Sequence, residues 1–252
     1  MRFASLGSGS SGNATLVAIN TTFVLVDCGF TTKEVEKRLA RLDLKPQSIT
    51  AILVTHEHGD HAKGVGPLSR KYNIPVFMSH GTYVSRKYGD LPKLTLISEG
   101  NDLSIGDLQV TPVTVPHDAR EPLQFVFHYQ GKKLGILTDL GSISERVINA
   151  YNECDALFLE ANHDVMMLAN GPYPPSLRAR VGGPWGHLNN QQTASLLSSL
   201  SLSKIQHIVI GHISKKNNSL EKTSEALDHL ASLTHVMQYA CQDEGFDWLN
   251  VQ

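Results

Sequence analysis

The sequence predicts an α/β (α+β) fold, a four-layer αββα sandwich of two mixed β-sheets, and three observations carry that expectation. Apolar runs of strand length fill both halves of the chain, and segments of helical periodicity separate them. Histidines or carboxylates recur directly after several of these runs. At 252 residues and 41% hydrophobic, the chain can bury a large core as a single domain spanning 1–252. No tandem repeat or low-complexity linker divides it.

Arg2 to Leu6, Ala14 to Ile19 and Thr22 to Val26 read as strands, the first two joined by the Gly/Ser turn Gly7 to Asn13. Thr32 to Leu42 is helical, with Val35, Leu39 and Leu42 on one stripe and Thr31 or Thr32 as N-cap. The buried strand Ala51 to Val54 follows, then a helix over Gly64 to Tyr72 and a strand at Pro75 to Met78. A helix from His80 to Tyr88 and a strand at Leu94 to Ile97 complete the first half. Asp102 to Val115 should be a strand pair turning at Gly106-Asp107. Leu123 to Tyr129 and Lys132 to Thr138 form the clearest hairpin, turning at Gln130-Gly131. Next come a helix at Ser142 to Asn152, a strand at Ala156 to Leu159, a helix at Asn189 to Leu200 and a strand at Ile205 to Ile210. A helix at Ser219 to Leu233 precedes closing strands at His235 to Ala240 and Phe246 to Leu249. Met166 to Trp185, with four prolines, reads as one long irregular loop, and such loops tend to be functional.

The chemistry starts at Thr55-His56-Glu57-His58-Gly59-Asp60-His61, directly behind the apolar run Ala51 to Val54. His56 and His58 have strand spacing, so both imidazoles can point one way and grip one metal, while Asp60 and His61 can reach a second. Two metals need further ligands, and the chain offers His117, Asp139 and His212, each after its own strand-like run. Nitrogen and oxygen donors without a thiolate admit manganese as well as zinc. Five neutral imidazoles and two carboxylates against two divalent cations leave a positive site, suited to an anionic substrate.

Net charge is −2, but its distribution is uneven. No acidic residue lies between Asp164 and Glu221, an interval that holds Arg178, Arg180, Lys204, Lys215 and Lys216. That stretch reads as a track for a polyanion, although chance and a Pro/Gly/Ser-rich loop would give the same pattern. Three scattered cysteines suggest free thiols in a reducing cytoplasm, and no signal peptide is visible after Met1. Apolar runs stay well short of the ~20 residues that a membrane helix needs.

The ligand order His-x-His-x-Asp-His, then His117, Asp139 and His212, resembles the metallo-β-lactamase superfamily. Within it, several stretches look like the YycJ/WalJ family of bacterial exonucleases. These are Ser5 to Asn13, Pro116-His117-Asp118-Ala119, Glu160 to Asp164, Asn170 to Pro174, Gly186-His187-Leu188 and Gly211 to Asn218. Asn189 stands where that family is expected to have Ser, Gln124 where it has Gly, and Gly182 to Trp185 where a more polar stretch is usual. The resemblance implies one metal site of His56, His58 and His117, a second of Asp60, His61 and His212, and Asp139 as the bridge. It also implies a metallo-β-lactamase-type sandwich, two divalent ions (Zn or Mn) and a metal-bridging hydroxide as nucleophile. The implied activity is phosphodiester hydrolysis as a DNA exonuclease, 5′ to 3′.

Asp60 and His187 are the candidate catalytic side chains. Nucleases of this superfamily such as ribonuclease Z use a comparable histidine to protonate the leaving oxygen, and a His187 that merely caps the helix at Asn189 is the alternative. Substrate-binding candidates are Ser8, Ser10 and Asn13 of the Gly/Ser turn, His163, Arg178, Arg180, Lys215 and Asn217. The turn could equally be a plain strand connection, and His163 a support for the ligands. His80, His128, His207, His229 and His235 do not cluster and read as structural.

Four other functions compete. A cyclic nucleotide or other small phosphodiesterase would use the same metal pair. A thioesterase of the glyoxalase type carries a helical domain after the core, whereas 40 residues follow His212 here. The large inserted domain of the ribonuclease J type does not fit in 252 residues. A non-catalytic, metal-bound regulatory protein has no use for a proton donor.

Overall fold

The computed structural model describes residues 1–252, whose fourteen strands form two seven-stranded mixed sheets. The first half runs β1 (Arg2–Gly7), β2 (Ala14–Ile19), β3 (Thr22–Val26), α1 (Thr32–Arg41), β4 (Ala51–Leu53), α2 (Gly59–Ala62), α3 (Val65–Tyr72), β5 (Val76–Met78), α4 (His80–Val84) and β6 (Leu94–Leu96). The second sheet is built from β7 (Leu103–Ile105), β8 (Leu108–Thr114), β9 (Leu123–Tyr129), β10 (Lys132–Leu137), α5 (Glu145–Tyr151) and β11 (Ala156–Glu160). It continues through α6 (Val165–Asn170), α7 (Pro175–Val181), α8 (Asn190–Ser199), β12 (His207–Gly211), α9 (Leu220–Leu227) and β13 (Met237–Tyr239). The last strand, β14 (Phe246–Asn250), crosses back to pair antiparallel with β1. Sheet orders are β14-β1-β2-β3-β4-β5-β6 and β13-β12-β11-β10-β9-β8-β7.

Alternation within the strands sorts side chains into three apolar layers. One lies between the sheets and includes Phe3, Val24, Leu53, Phe125, Phe127, Ile136, Phe158 and Val209. A second packs α1 and α3 on the first sheet through Leu16, Leu25, Val35, Leu39, Ile52, Val65 and Leu68. The third packs α5, α8 and α9 on the second sheet through Val147, Tyr151, Leu157, Leu159, Leu196, Leu197 and Leu227. Three cores between four layers give the αββα sandwich that the sequence predicts. The hairpin β9–β10 turns through Gln130 (φ 47°) and Gly131 (φ 76°), the left-handed pair that a two-residue turn requires.

Each sheet is antiparallel on one side and parallel on the other, with β3 to β6 and β10 to β13 as the parallel parts. The carboxyl ends of the parallel strands are where such sheets place their ligands. Thr31 caps α1 by accepting from Glu34 N, and Asn189 forms a capping box with Gln192 on α8. Asn serves that cap as well as the Ser expected there.

Four boundaries differ from expectation. The segment Met166 to Trp185 is not irregular but holds α6 and α7. Asp164 caps α6 by accepting from Met167 N, and Pro174-Pro175 opens α7 at the positions a helix start tolerates. The helix from His80 ends at Val84 rather than Tyr88. The helix from Ser219 breaks at Leu227, and a 3-10 segment with non-helical Leu230 covers Asp228–Val236. A short helix, α2, forms inside the histidine motif itself. All three cysteines are unpaired. No helix is long and apolar enough to cross a membrane.

Candidate metal centre

Five strand ends meet at one edge of the sandwich. Asp27 follows β3, His56 follows β4, Asp139 follows β10, Glu160 ends β11 and His212 follows β12. Asp27 (φ 63°) and His212 (φ 50°) hold left-handed backbone, a cost that non-glycine residues sustain mostly where surrounding structure enforces it. The α2 turn brings Asp60 and His61 in from the side. Gly29 lets it approach: a Cβ there would lie 1.7 Å from the Asp60 carbonyl oxygen.

Two clusters of ligand atoms form there, His56/His58/His117 and Asp60/His61/His212, each spanning no more than 4.8 Å. A third group, His56/His61/Asp139, ties them together. His56 Nε2 lies 3.0 Å from His58 Nδ1, and His117 Nε2 lies 3.4 Å from the same atom. Asp139 reaches both clusters, with Oδ2 3.1 Å from His61 Nε2 and Oδ1 4.0 Å from His117 Nε2. The Asp139 Oδ2 contact lacks hydrogen-bond geometry, so this buried oxygen has no donor.

The hydrogen bonds behind the imidazoles fix which nitrogen faces inward. Asp27 accepts from Thr55 N and Thr55 Oγ1, both at 2.8 Å, and from His61 Nδ1 at 2.7 Å. Thr55 Oγ1, its proton given to Asp27, accepts from His56 Nδ1 at 2.9 Å. His117 Nδ1 donates to the Gly186 carbonyl at 2.9 Å, and His212 Nδ1 donates to the Thr138 carbonyl at 2.8 Å. With Nδ1 as the donor in each, four imidazoles aim Nε2 at the clusters, the atom a metal would take once its proton leaves. Beneath Asp139, Gln124 accepts from Thr138 N at 3.2 Å and supports the strand end, the work its amide does in place of glycine. Converging ring nitrogens, a buried orphan oxygen and imidazoles held from behind fit a pair of divalent cations.

Burial opposes charge throughout, and the carboxylates decide where it survives. Burial penalises protonated His61 and His212, but Asp139 and its neighbours outweigh that, holding His61 well above its usual value and His212 at about 9. Asp139 is correspondingly held well below the usual carboxylate range. Burial pushes His187 down to about 4 and Glu160 well above its usual value. Glu160 Oε2 lies 2.9 Å from His187 Nδ1, and its Oε1 accepts from Leu140 N at 2.5 Å. Burial thus favours the uncharged forms of both members of this hydrogen-bonded pair beside the clusters. His187 is not the cap of α8, since Asn189 fills that position itself.

A cavity of 350 Å³ opens over the clusters. Its wall includes His58, Asp60, Asp139, His187 and His212, and the α6–α7 segment adds Tyr173, Leu177, Arg180 and Val181. Among the substrate-binding candidates, Ser10 and Arg180 line it, and Arg180 pairs with Asp118 while its Nη2 lies 3.4 Å from His58 Nε2. The others do not line it. Ser8 Oγ accepts from His212 N at 2.9 Å, and Asn13 clamps the Gly/Ser turn by accepting from Gly9 N at 2.7 Å. His163 is buried with Nδ1 unpartnered, and Arg178 donates to the Ala169 carbonyl. Lys215 pairs with Asp243 at 2.7 Å, and Asn217 is wholly buried. The acid-free interval is not one surface: Lys204, 3.8 Å from Glu153, precedes β12, whose far end carries His212.

Sequence reasoning passed over Asp27 and Glu160, although each is a carboxylate at a strand end like Asp139.

Residues 22–213 match the family model of the β-lactamase superfamily domain. The exodeoxyribonuclease YycJ of Bacillus anthracis is 36% identical over 88% of this chain and 85% of its own length. The exodeoxyribonuclease WalJ of Streptococcus pneumoniae is 33% identical over 97% of this chain and 90% of its own. The zinc-bound PqqB of Methylobacterium extorquens shares the fold, with a TM-score of 0.78 at 16% identity over 99% of this chain and all of its own. The chain belongs to the β-lactamase superfamily and, within it, to the YycJ/WalJ family: it is a metal-dependent hydrolase.

Proposed function

We propose that this chain is a dinuclear metal-dependent phosphodiesterase that degrades DNA from the 5′ end. The observation that carries the reading is the pair of clusters joined by Asp139, with the hydrogen-bonded Glu160–His187 pair beside them. Relatives named exodeoxyribonucleases, similar over most of their length, support DNA as substrate. His56, His58 and His117 would hold one cation, and Asp60, His61 and His212 the other, with Asp139 between them. When bound, two zinc or manganese ions would neutralise the scissile phosphate and lower the pKa of water at the site.

The chain's own residues supply the rest. Asp27 and Thr55 keep His61 and His56 in the ligating tautomer. Arg180 and Ser10 face the cavity where the phosphate enters. His187 gives a proton from Nε2 to the departing 3′-oxygen while taking the proton of Glu160 at Nδ1, which avoids releasing an alkoxide. Three unpaired cysteines suit a reducing cytoplasm.

The test is purified protein with Mn²⁺ or Zn²⁺ on end-labelled single- and double-stranded DNA, RNA, cyclic nucleotides and a thioester. Mononucleotide release from the 5′ end of DNA is expected. Turnover confined to cyclic nucleotides would replace this reading with the small-molecule one.

A further inference from the structure

A second hollow, of 200 Å³, lies beside the metal centre and presents Lys63, Arg70, Arg86 and Lys87 with no acidic residue in its lining. None of the four has an ion-pair partner among the salt bridges of the chain, unlike Arg180 or Lys215. Four unpaired cations around one concavity stand out in a protein of net charge −2. Their placement is built. Arg70 Nη1 donates to the Tyr88 carbonyl at 2.6 Å, which holds its guanidinium at the rim. Gly89, left-handed at φ 73°, permits that approach, since a Cβ there would lie 2.6 Å from Arg70 Nη1.

Two contacts join the hollow to the catalytic cavity. Arg86 Nη1 donates to the Glu57 carbonyl at 3.2 Å and lies 4.0 Å from where a Cβ on Gly59 would be, and Gly59 lines the cavity. Lys63 Nζ donates to the Ser11 carbonyl at 3.2 Å, next to cavity-lining Ser10. An anion seated in the hollow is therefore one wall away from the scissile position. It lies on the side of the cavity formed by the histidine motif, while Arg180 and α7 form another part of the rim.

We propose that this hollow is a phosphate subsite, which holds a backbone phosphate of the polynucleotide beyond the one being cleaved. The proposal rests on the nuclease reading above. A polyanion that neutralises clustered Lys and Arg displaces counterions, so the subsite should appear as salt-dependent affinity for longer strands.

The test compares wild type with the double variant Lys63→Gln/Lys87→Gln, whose side chains are exposed, so that folding and metal content should be unchanged. Substrates are bis(p-nitrophenyl) phosphate, a dinucleotide and single-stranded oligonucleotides of increasing length. The variant should match wild type within about twofold on the small ester and the dinucleotide. On long oligonucleotides kcat/KM should fall roughly tenfold, and the slope of log affinity against log salt should drop by about 1. Equal rates on long DNA overturn the subsite and leave the nuclease reading standing. An equal loss on every substrate, including the dinucleotide, points to a site for a free nucleotide or to a damaged centre and also overturns it. If wild type cleaves the small ester but no DNA of any length, the nuclease reading fails and the subsite fails with it.

Discussion

Asp27→Asn is the substitution with the most calculable consequence. Asp27 is buried, does not touch the cavity, and accepts three hydrogen bonds, from Thr55 N, Thr55 Oγ1 and His61 Nδ1. Asn tolerates the left-handed backbone at φ 63°, so the change leaves the chain path intact. With its oxygen kept against Thr55 N, the amide presents N–H to His61 Nδ1 and to Thr55 Oγ1. The reverse orientation would set two N–H groups against each other at Thr55. His61 must then carry its proton on Nε2, and Thr55 Oγ1, now an acceptor from the amide, donates to His56 Nδ1 and moves that proton to Nε2 as well. One substitution thus puts protons on a ligand atom of each cluster. Loss of a partner behind a ligand typically costs ~10–100-fold in metal affinity, roughly 1.4–2.7 kcal/mol per site. Calorimetric titration with Zn²⁺ or Mn²⁺ measures it directly, with circular dichroism to show that the fold persists. Two equivalents bound at wild-type affinity would refute the tautomer argument.

Four further outcomes follow from the structure. His187→Ala should keep its metals and lose ~10²–10⁴ in rate on DNA but far less on a nitrophenyl phosphodiester, whose leaving group needs no proton. Glu160→Gln should show the same contrast, and equal losses on both substrates would end the relay. Asp139→Ala should lose most activity while its thermal unfolding remains cooperative, and full turnover with two metals bound would contradict the bridge. His163, which burial pulls down from 6.5 to about 4, should make the fold acid-sensitive. Its proton binds the unfolded chain more readily, so stability is complete above pH 6.5 and falls as pH drops toward 4, by about 3 kcal/mol. His163→Phe should flatten denaturant midpoints over that window, and an unchanged pH slope would remove His163 as the cause.

The sheets and the clustering of the candidate ligands were legible because both rest on local pattern. Each of His56, Asp139 and His212 sits just past a run that periodicity identifies, and the topology then needs only to bring those ends to one edge. Asp27 and Glu160 carried the same signal, but a lone carboxylate after a strand says nothing until its partners are in view. The helices α6 and α7 were hidden by Pro174 and Pro175, which read as breakers in sequence and act as a helix start in space. Linear charge counting joined Lys204 to Arg180 although they serve different regions of the fold. The same method could not see the hollow, because its cations come from three separated segments, at Lys63, at Arg70 and at Arg86-Lys87.

The most direct test of the central claim is hydrolysis of 5′-labelled DNA by metal-stripped protein as Mn²⁺ or Zn²⁺ is added back in counted equivalents per chain. The two-cluster account predicts little activity at one equivalent, full activity at two, and label released first as mononucleotide. Full activity at one equivalent, or none at two with both ions bound, would contradict it.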